Sequence, residues 1–166
     1  MSAEPGAKPS RLENARNFRT ALWLSAQGEH ELASKLVEVI ERLSRPSPVW
    51  AYARAVCHEG QGATPSAIQV MAAAVQQWPD SLRCWSYLGL LRYQVEDFAG
   101  AIVAIRRAAE IKPNADMLTI LSWAYLRSEP PRIDEAVETA NEALALRPGW
   151  DEAQACLERA SEMRSD

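Results

Sequence analysis

Histidine, cysteine, phenylalanine and long apolar runs are all scarce in this sequence of 166 residues. The two histidines, His30 and His58, are each followed by glutamate, but neither begins an H-E-x-x-H zinc motif because no second histidine follows. The glycine-rich segment that holds Gly60 and Gly62 lacks the lysine of a phosphate loop. No paired carboxylates and no metal-ligand spacing stand out. We therefore predict a protein that is not an enzyme and that uses no metal or cofactor.

The three cysteines, Cys57, Cys84 and Cys156, form no C-x-x-C pair, and each lies in an apolar pattern of helical spacing. An odd number of unclustered cysteines is typical of buried free thiols in a reducing compartment. No apolar run approaches the length of a transmembrane helix, and the first residues lack the apolar core of a secretory signal. We expect a cytoplasmic protein without membrane insertion.

The net charge of −4 is distributed unevenly. Residues 1–115 carry 13 basic and 11 acidic side chains, whereas residues 116–166 carry 5 basic and 11 acidic ones. An acidic C-terminal third argues against nucleic acid or an anionic membrane as the main partner. Two interpretations stay open for these carboxylates: a solvated helix surface, or a preference for basic segments of a partner.

Proline and alanine recur at regular distances. Pro79 and Pro113 are 34 residues apart, and Pro113 and Pro148 are 35 apart. An alanine stands twelve residues before each proline and another stands five residues before it: Ala67 and Ala74, Ala101 and Ala108, Ala136 and Ala143. A period near 34 residues is typical of helix-turn-helix arrays.

The best repeat resembles the tetratricopeptide repeat family. It matches the family pattern at Trp85, Leu88, Gly89, Ala101, Ile105, Ala108 and Pro113. The resemblance implies an all-α fold, a right-handed helical superhelix of helix-turn-helix repeats with a C-terminal capping helix. It also implies that Trp85 fills the space between paired helices, while Gly89 and Ala101 are small because the helices cross there.

This resemblance divides the chain into segments. We expect a disordered tail at 1–10, a degenerate helix pair at 11–46, three repeats at 47–80, 81–114 and 115–149, and a capping helix at 150–166. Helices are predicted at 11–27, 30–44, 48–59, 65–77, 81–94, 97–111, 115–128, 132–146 and 150–164. Ser47 and Thr64, each followed by proline, are predicted N-caps, as are Asn114 and either Asp80 or Ser81. Either Asn17 or Phe18 takes the tryptophan position of the degenerate pair.

In this family the first helix of each repeat lines a concave groove that binds peptide or helical segments of other proteins. The resemblance places ten residues on that groove: Ala51, Ala55, His58, Arg83, Ser86, Leu90, Tyr93, Thr119, Trp123 and Leu126. The expected surface is apolar and aromatic with one arginine and one histidine. Trp123 has two interpretations: an anchor for a partner, or a residue packed on the C-terminal helix.

Two functions follow from the expected groove. One is a client- or peptide-binding module, an adaptor or chaperone, whose apolar groove and length are similar to those of type III secretion chaperones in bacteria. The basic clamp for acidic chaperone tails is nearly absent, because Ala51, Ala55, Tyr87 and Asp116 occupy its places. The other function is a scaffold that self-associates, for example as a homodimer. Phe18, Trp23 and Leu24 make the first helix apolar on more than one face, which favours a docking role for it.

Overall fold

The computed structural model describes residues 10–165, so the predicted tail lies outside the described residues except for Ser10. The described residues form nine α-helices and no strand. Every helix predicted from the sequence is present, and each end lies within one residue of its expected position. The helices are α1 (Arg11–Ala26), α2 (His30–Leu43), α3 (Pro48–Gly60), α4 (Thr64–Gln77), α5 (Leu82–Gln94), α6 (Phe98–Ile111), α7 (Ala115–Arg127), α8 (Ile133–Leu146) and α9 (Asp151–Ser165).

Local capping explains several of these boundaries. The Ser81 and Asn114 side chains accept hydrogen bonds from the backbone N–H groups of Cys84 and Met117, as predicted. Ser47 is the N-cap residue of α3, as predicted, although its side chain makes no capping bond; the prediction for Thr64 is wrong, because Thr64 lies inside α4 and Ala63 is the N-cap residue. Proline in the first turn, which fixes φ where no N–H partner is needed, sets the start of α3 and α4 instead.

The chain divides into two compact units, Met1–Pro79 and Asp80–Asp166. In the first unit, α1, α2 and α3 pack around a cluster of Ala21, Ala33, Val37, Ile40, Trp50, Ala53 and Cys57. Phe18, one of the two candidates for the tryptophan position of the degenerate pair, packs against this cluster. Its ring meets the Trp50 ring edge-on, with centroids 6.1 Å apart.

The second unit is built on close helix crossings. A Cβ placed on Gly89 would overlap the Ile105 side chain, so only glycine lets α5 and α6 approach this closely. Leu88, Ala101, Ile105 and Ala108 are fully buried, as predicted. Trp85 differs, because it is only partly buried: it lies at the edge of the helix pair and forms the wall of an open pocket.

The C-terminal helix α9 packs on α7 and α8. Ala153, Cys156 and Ala160 are buried, while the glutamates and arginines of α9 face solvent. The buried Ser122 hydroxyl of α7 donates to the Ala136 carbonyl at 2.6 Å and lies 2.7 Å from the Cys156 Sγ atom. Small residues at the contact therefore hold α7, α8 and α9 together.

Candidate protein-binding face

One side of α5 presents four of the expected groove residues. Arg83, Ser86, Leu90 and Tyr93 recur at intervals of three and four residues, so they share one helical face. Arg83 is exposed and the other three are partly buried. The structure therefore leaves this stripe accessible to a partner.

The accessible stripe of α7 differs from the expected one. Trp123 is partly buried, as are Asp116 and Ile120, and Arg127 is exposed. These four residues share one face of α7 by their spacing. Since α5 and α7 pack against each other, the α5 stripe and the α7 stripe together form what we call the α5/α7 face.

Thr119 is not accessible, which corrects its expected place in the groove. The Trp150 indole covers it and donates from Nε1 to the Thr119 hydroxyl at 3.1 Å. The Arg147 guanidinium stacks over the Trp150 ring at 4.1 Å and donates to the Asp116 carboxylate at 2.8 Å. The residues that follow α8 thus close this part of α7.

Leu126 is also buried, inside a cluster that includes Cys156 and Ala160 of α9. Trp123 packs against the edge of this same cluster while keeping part of its surface exposed. Trp123 thus packs on a cluster that contains residues of the C-terminal helix, and it also keeps an accessible part. Its role as an anchor for a partner stays a prediction.

The third set of expected groove residues lies on α3, in the first unit. Ala51 and Ala55 are buried, so they offer little surface to a partner and their expected place in a groove is corrected. His58 is partly buried. The partly buried stripe one residue later along the helix, Tyr52, Val56 and Glu59, presents the surface instead.

The end of the α5/α7 face carries a cluster that sequence reasoning missed. The rings of Tyr93 and Phe98 meet edge-on, with centroids 5.6 Å apart. The Arg127 guanidinium lies 4.6 Å from the Phe98 centroid and 5.6 Å from that of Tyr93, and it donates to Glu96 at 2.7 Å. Arg127 stands 29 residues or more from these partners along the chain, so local spacing gives no signal for the contact.

The buried thiols show no sign of activation. Burial raises the pKa of Cys57, Cys84 and Cys156, which outweighs the opposite effect of a hydrogen bond with Ser34, Ser81 and Ser122 respectively. A raised pKa keeps a thiol protonated at neutral pH, and the thiolate is the nucleophilic form. These cysteines therefore serve packing.

Neither a membrane-spanning helix nor a cluster of metal-ligating side chains is found among residues 10–165. Residues 10–165 contain no helix that is both long and apolar enough to cross a membrane. The same residues hold no group of three or more histidine, cysteine, aspartate or glutamate side chains placed to bind a metal ion.

A family model described as tetratricopeptide repeat matches residues 18–81 and 88–149 of the chain. The chain belongs to the tetratricopeptide repeat family. The all-α helical repeat fold is thereby confirmed, and this fold is that of a protein–protein interaction module. The matched residues include Leu90 and Tyr93 of the α5 stripe and all of α7, while Arg83 and Ser86 lie between the two matched segments.

Among curated proteins, this tetratricopeptide protein is similar to the PEX5-related proteins of Rattus norvegicus and Mus musculus. Identity is 37% over 90 residues, which is 54% of this chain. The matched region spans 15% of the rat protein and 16% of the mouse protein. The chain therefore matches only a small part of the length of these relatives.

Solved structures share the fold. MamA 41-end from Desulfovibrio magneticus RS-1 superposes with a TM-score of 0.79 at 16% identity, covering 92% of this chain and 86% of that one. MamA AMB-1 superposes with a TM-score of 0.75 at 20% identity, covering 94% and 85%. Similarity at this level of identity establishes the fold only. Neither the family match nor these relatives confirms the similarity to type III secretion chaperones.

Proposed function

We propose that this protein is a non-enzymatic interaction module that binds an apolar-anchored segment of another protein on the α5/α7 face. It acts as an adaptor or as a chaperone of the secretion type. The observation that carries the proposal is the partial exposure of Leu90, Tyr93 and Trp123 on two helices that pack side by side. Aromatic side chains at such positions supply much of the affinity of protein interfaces.

Packing against the core holds the aromatic side chains of the α5/α7 face in place. Tyr93 and Trp123 both pack against the same buried cluster, so their exposed edges are held in place before a partner arrives. A preorganised surface loses less side-chain entropy on binding. Arg83 at one end and Arg127 at the other provide charges that orient a partner segment more than they add affinity.

Site-specific photocrosslinking in the native host cell tests the proposal. A photoreactive phenylalanine analogue is introduced at Leu90 or Ile120, on the α5/α7 face, and at Gln154 on the exposed side of α9 as a matched control. We expect a defined partner to crosslink from the first two positions only. Truncating an aromatic anchor typically costs about 2–4 kcal/mol, so Trp123→Ala should abolish the crosslink.

Circular dichroism must show that the Trp123→Ala variant keeps its helices. A folded variant that crosslinks the same partner as strongly as the wild type would contradict the proposal. Equal crosslinking from Gln154 would show that capture is not specific to the α5/α7 face.

A second candidate function is a self-associating scaffold. It is supported by apolar side chains of the first unit: Trp23 of α1 is 61% exposed, and Leu32 and Val39 of α2 are 52% and 51% exposed. Leu32, Val39 and Leu43 share one face of α2 by their spacing. Sedimentation velocity over a range of concentrations tests this function, since a monomer at every concentration would exclude it.

A further inference from the structure

An open pocket of about 610 Å³ lies on α6, away from the α5/α7 face. Its apolar wall is formed by Trp85 of α5, Ile102 and Val103 of α6, and Pro130 of the turn between α7 and α8. Val103 is 61% exposed although it is a large aliphatic residue. A pocket of this volume falls within the range that binds small molecules or the anchoring side chains of peptides.

Arginine dominates the rim of this pocket. Arg107 is ion-paired with Asp80 at 3.6 Å and with Glu110 at 2.9 Å, and Arg132 is paired with Glu135 at 2.7 Å. None of these pairs includes Arg106, which is exposed at the rim. Two carboxylates, Glu110 and Glu129, also line the pocket. Among the arginines that line the pocket within residues 10–165, Arg106 is thus the one outside these ion pairs, and its charge can meet a ligand.

We propose that this α6 pocket binds an acidic peptide segment of a partner protein, with one large apolar side chain in the pocket and a neighbouring carboxylate on Arg106. An aliphatic or aromatic side chain would fill the space beside Trp85 and Val103. A guanidinium binds a carboxylate through two parallel N–H donors, which fixes the direction of the segment. The charges of the lining favour this occupant, because Arg106, Arg107 and Arg132 outnumber Glu110 and Glu129, and Arg106 takes part in none of the ion pairs named above.

A peptide explains the lining better than nucleic acid does. Phosphate backbones are bound by several cationic side chains together, and two of the three arginines here already hold carboxylates of the protein. Glu110 and Glu129 at the rim would also repel a run of phosphates, and for the same reason we expect one carboxylate beside Arg106 and not a run of acidic residues. An apolar side chain next to a single carboxylate meets both parts of the pocket.

Selection from a displayed library of random decapeptides against the whole protein tests the proposal. We expect enriched sequences in which a large apolar residue lies next to aspartate or glutamate. Synthetic copies of these peptides are then titrated by fluorescence anisotropy. Arg106→Glu and Val103→Asp should each weaken binding at least tenfold, while Arg106→Lys should retain much of the affinity.

Controls separate this pocket from the α5/α7 face. Arg106 and Val103 are exposed, so their variants should melt like the wild type. Arg19→Glu, a variant of equal charge change at an exposed position of α1, should bind the peptides as the wild type does. Trp123→Ala should do the same, and this result would leave the function proposed for the α5/α7 face untouched.

Three outcomes would overturn the proposal. The first is that no acidic–apolar sequence is enriched. The second is that enriched peptides bind Arg106→Glu as tightly as the wild type. The third is that the peptides lose binding in Trp123→Ala but not in Val103→Asp, which would assign them to the α5/α7 face. Binding of a DNA or RNA oligonucleotide that competes with the peptides would instead make the site a phosphate site.

Discussion

The two compact units bury their apolar residues with different completeness. In the second unit, small residues at the crossings, such as Gly89, Ala101 and Ser122, let neighbouring helices pack closely. In the first unit, Phe18 and Trp50 fill the core, yet Trp23, Leu32 and Val39 remain largely exposed. Among the described residues, five large apolar side chains are exposed in the first unit and three, Val95, Val103 and Leu146, in the second. The unit that follows the repeat pattern best thus leaves fewer of them exposed than the unit that contains the degenerate helix pair.

This difference indicates separate tasks for the two units. A repeat built on small-residue crossings has little freedom to change, so its accessible stripes can be preorganised for a partner. Exposed apolar residues that share a helix face, as on α2, have no role in the fold of their own unit and favour contact with another molecule. Substitutions in the buried crossings of the second unit and on the exposed apolar surface of the first unit should therefore have different effects.

The largest effect is expected from Ile105→Ala in the second unit. Ile105 is fully buried and lies against Gly89, so its truncation leaves a cavity at the crossing of α5 and α6. Loss of a buried isoleucine side chain costs about 2–5 kcal/mol of unfolding free energy. Urea denaturation followed by circular dichroism measures the loss. Val103→Ala, two residues earlier on the exposed side of α6, is the matched control and should change stability by less than about 0.5 kcal/mol.

Ala101→Leu tests the same crossing of α5 and α6 by adding side-chain volume instead of removing it. Ala101 is fully buried, and a larger side chain there must push α5 and α6 apart, at a cost of about 1–3 kcal/mol. Ala99→Leu adds the same atoms at an exposed position and should be close to neutral. If Ala101→Leu melts at the wild-type temperature, the register assigned to this repeat is wrong.

Local chemistry explains why the helix boundaries could be predicted. Proline, glycine and polar capping residues act within a few positions of a helix end, so their effect is visible in the sequence. Pro48 and Pro65 mark the starts of α3 and α4 in this way, with Ser47 at the N-cap of α3 and Thr64 inside α4. The regular distances between Pro79, Pro113 and Pro148 predicted a helix-turn-helix array, and the resemblance to the tetratricopeptide repeat family implied the fold class.

The accessible stripes were harder to predict, because burial is decided by distant residues. On α5 the expected face is accessible, but Thr119 of α7 is covered by Trp150, which lies 31 residues later. On α3, Ala51 and Ala55 of the expected face are buried, whereas Arg54 is exposed and pairs with Glu41 at 3.3 Å. The accessible stripe of α3 therefore lies one residue later than expected, at Tyr52 and Val56. The α6 pocket depends on a turn from another repeat and has no local signature at all.

In the first unit, the double variant Trp23→Ser and Val39→Ser should change self-association more than stability. Both side chains are more than half exposed, so we expect the unfolding free energy to stay within about 0.5 kcal/mol per site. Sedimentation velocity should show a weaker tendency to associate than in the wild type. Val103→Ser together with Val95→Ser, which removes exposed apolar residues of the second unit, provides the control. An equal effect of both double variants would remove the distinction between the units.

The smallest effect concerns the start of the first unit, where a capping box at Ser10 and Glu13 begins α1. The Ser10 hydroxyl accepts from the Glu13 N–H at 3.2 Å, and the Glu13 carboxylate accepts from the Ser10 N–H at 2.7 Å. The hydrogen bond from the Ser10 backbone N–H, followed by that with its side chain, lowers the pKa of Glu13 below its usual value. A carboxyl whose pKa is lower in the folded state stabilises the fold above its unfolded pKa of about 4.3 and loses this contribution as the pH falls through the folded value.

Glu13→Gln keeps the shape of the side chain but removes the charge. We expect the wild type to be slightly more stable than this variant at pH 7, and the difference to shrink as the pH falls below about 4, where Glu13 becomes protonated. Urea titrations of both proteins at a series of pH values measure the difference directly. Glu13 is fully exposed, so salt should weaken the effect as well. An advantage of the wild type that stays constant down to the acid limit would show that the Glu13 charge contributes nothing to the cap, and α1 would then depend on its packing as the helices of the second unit do.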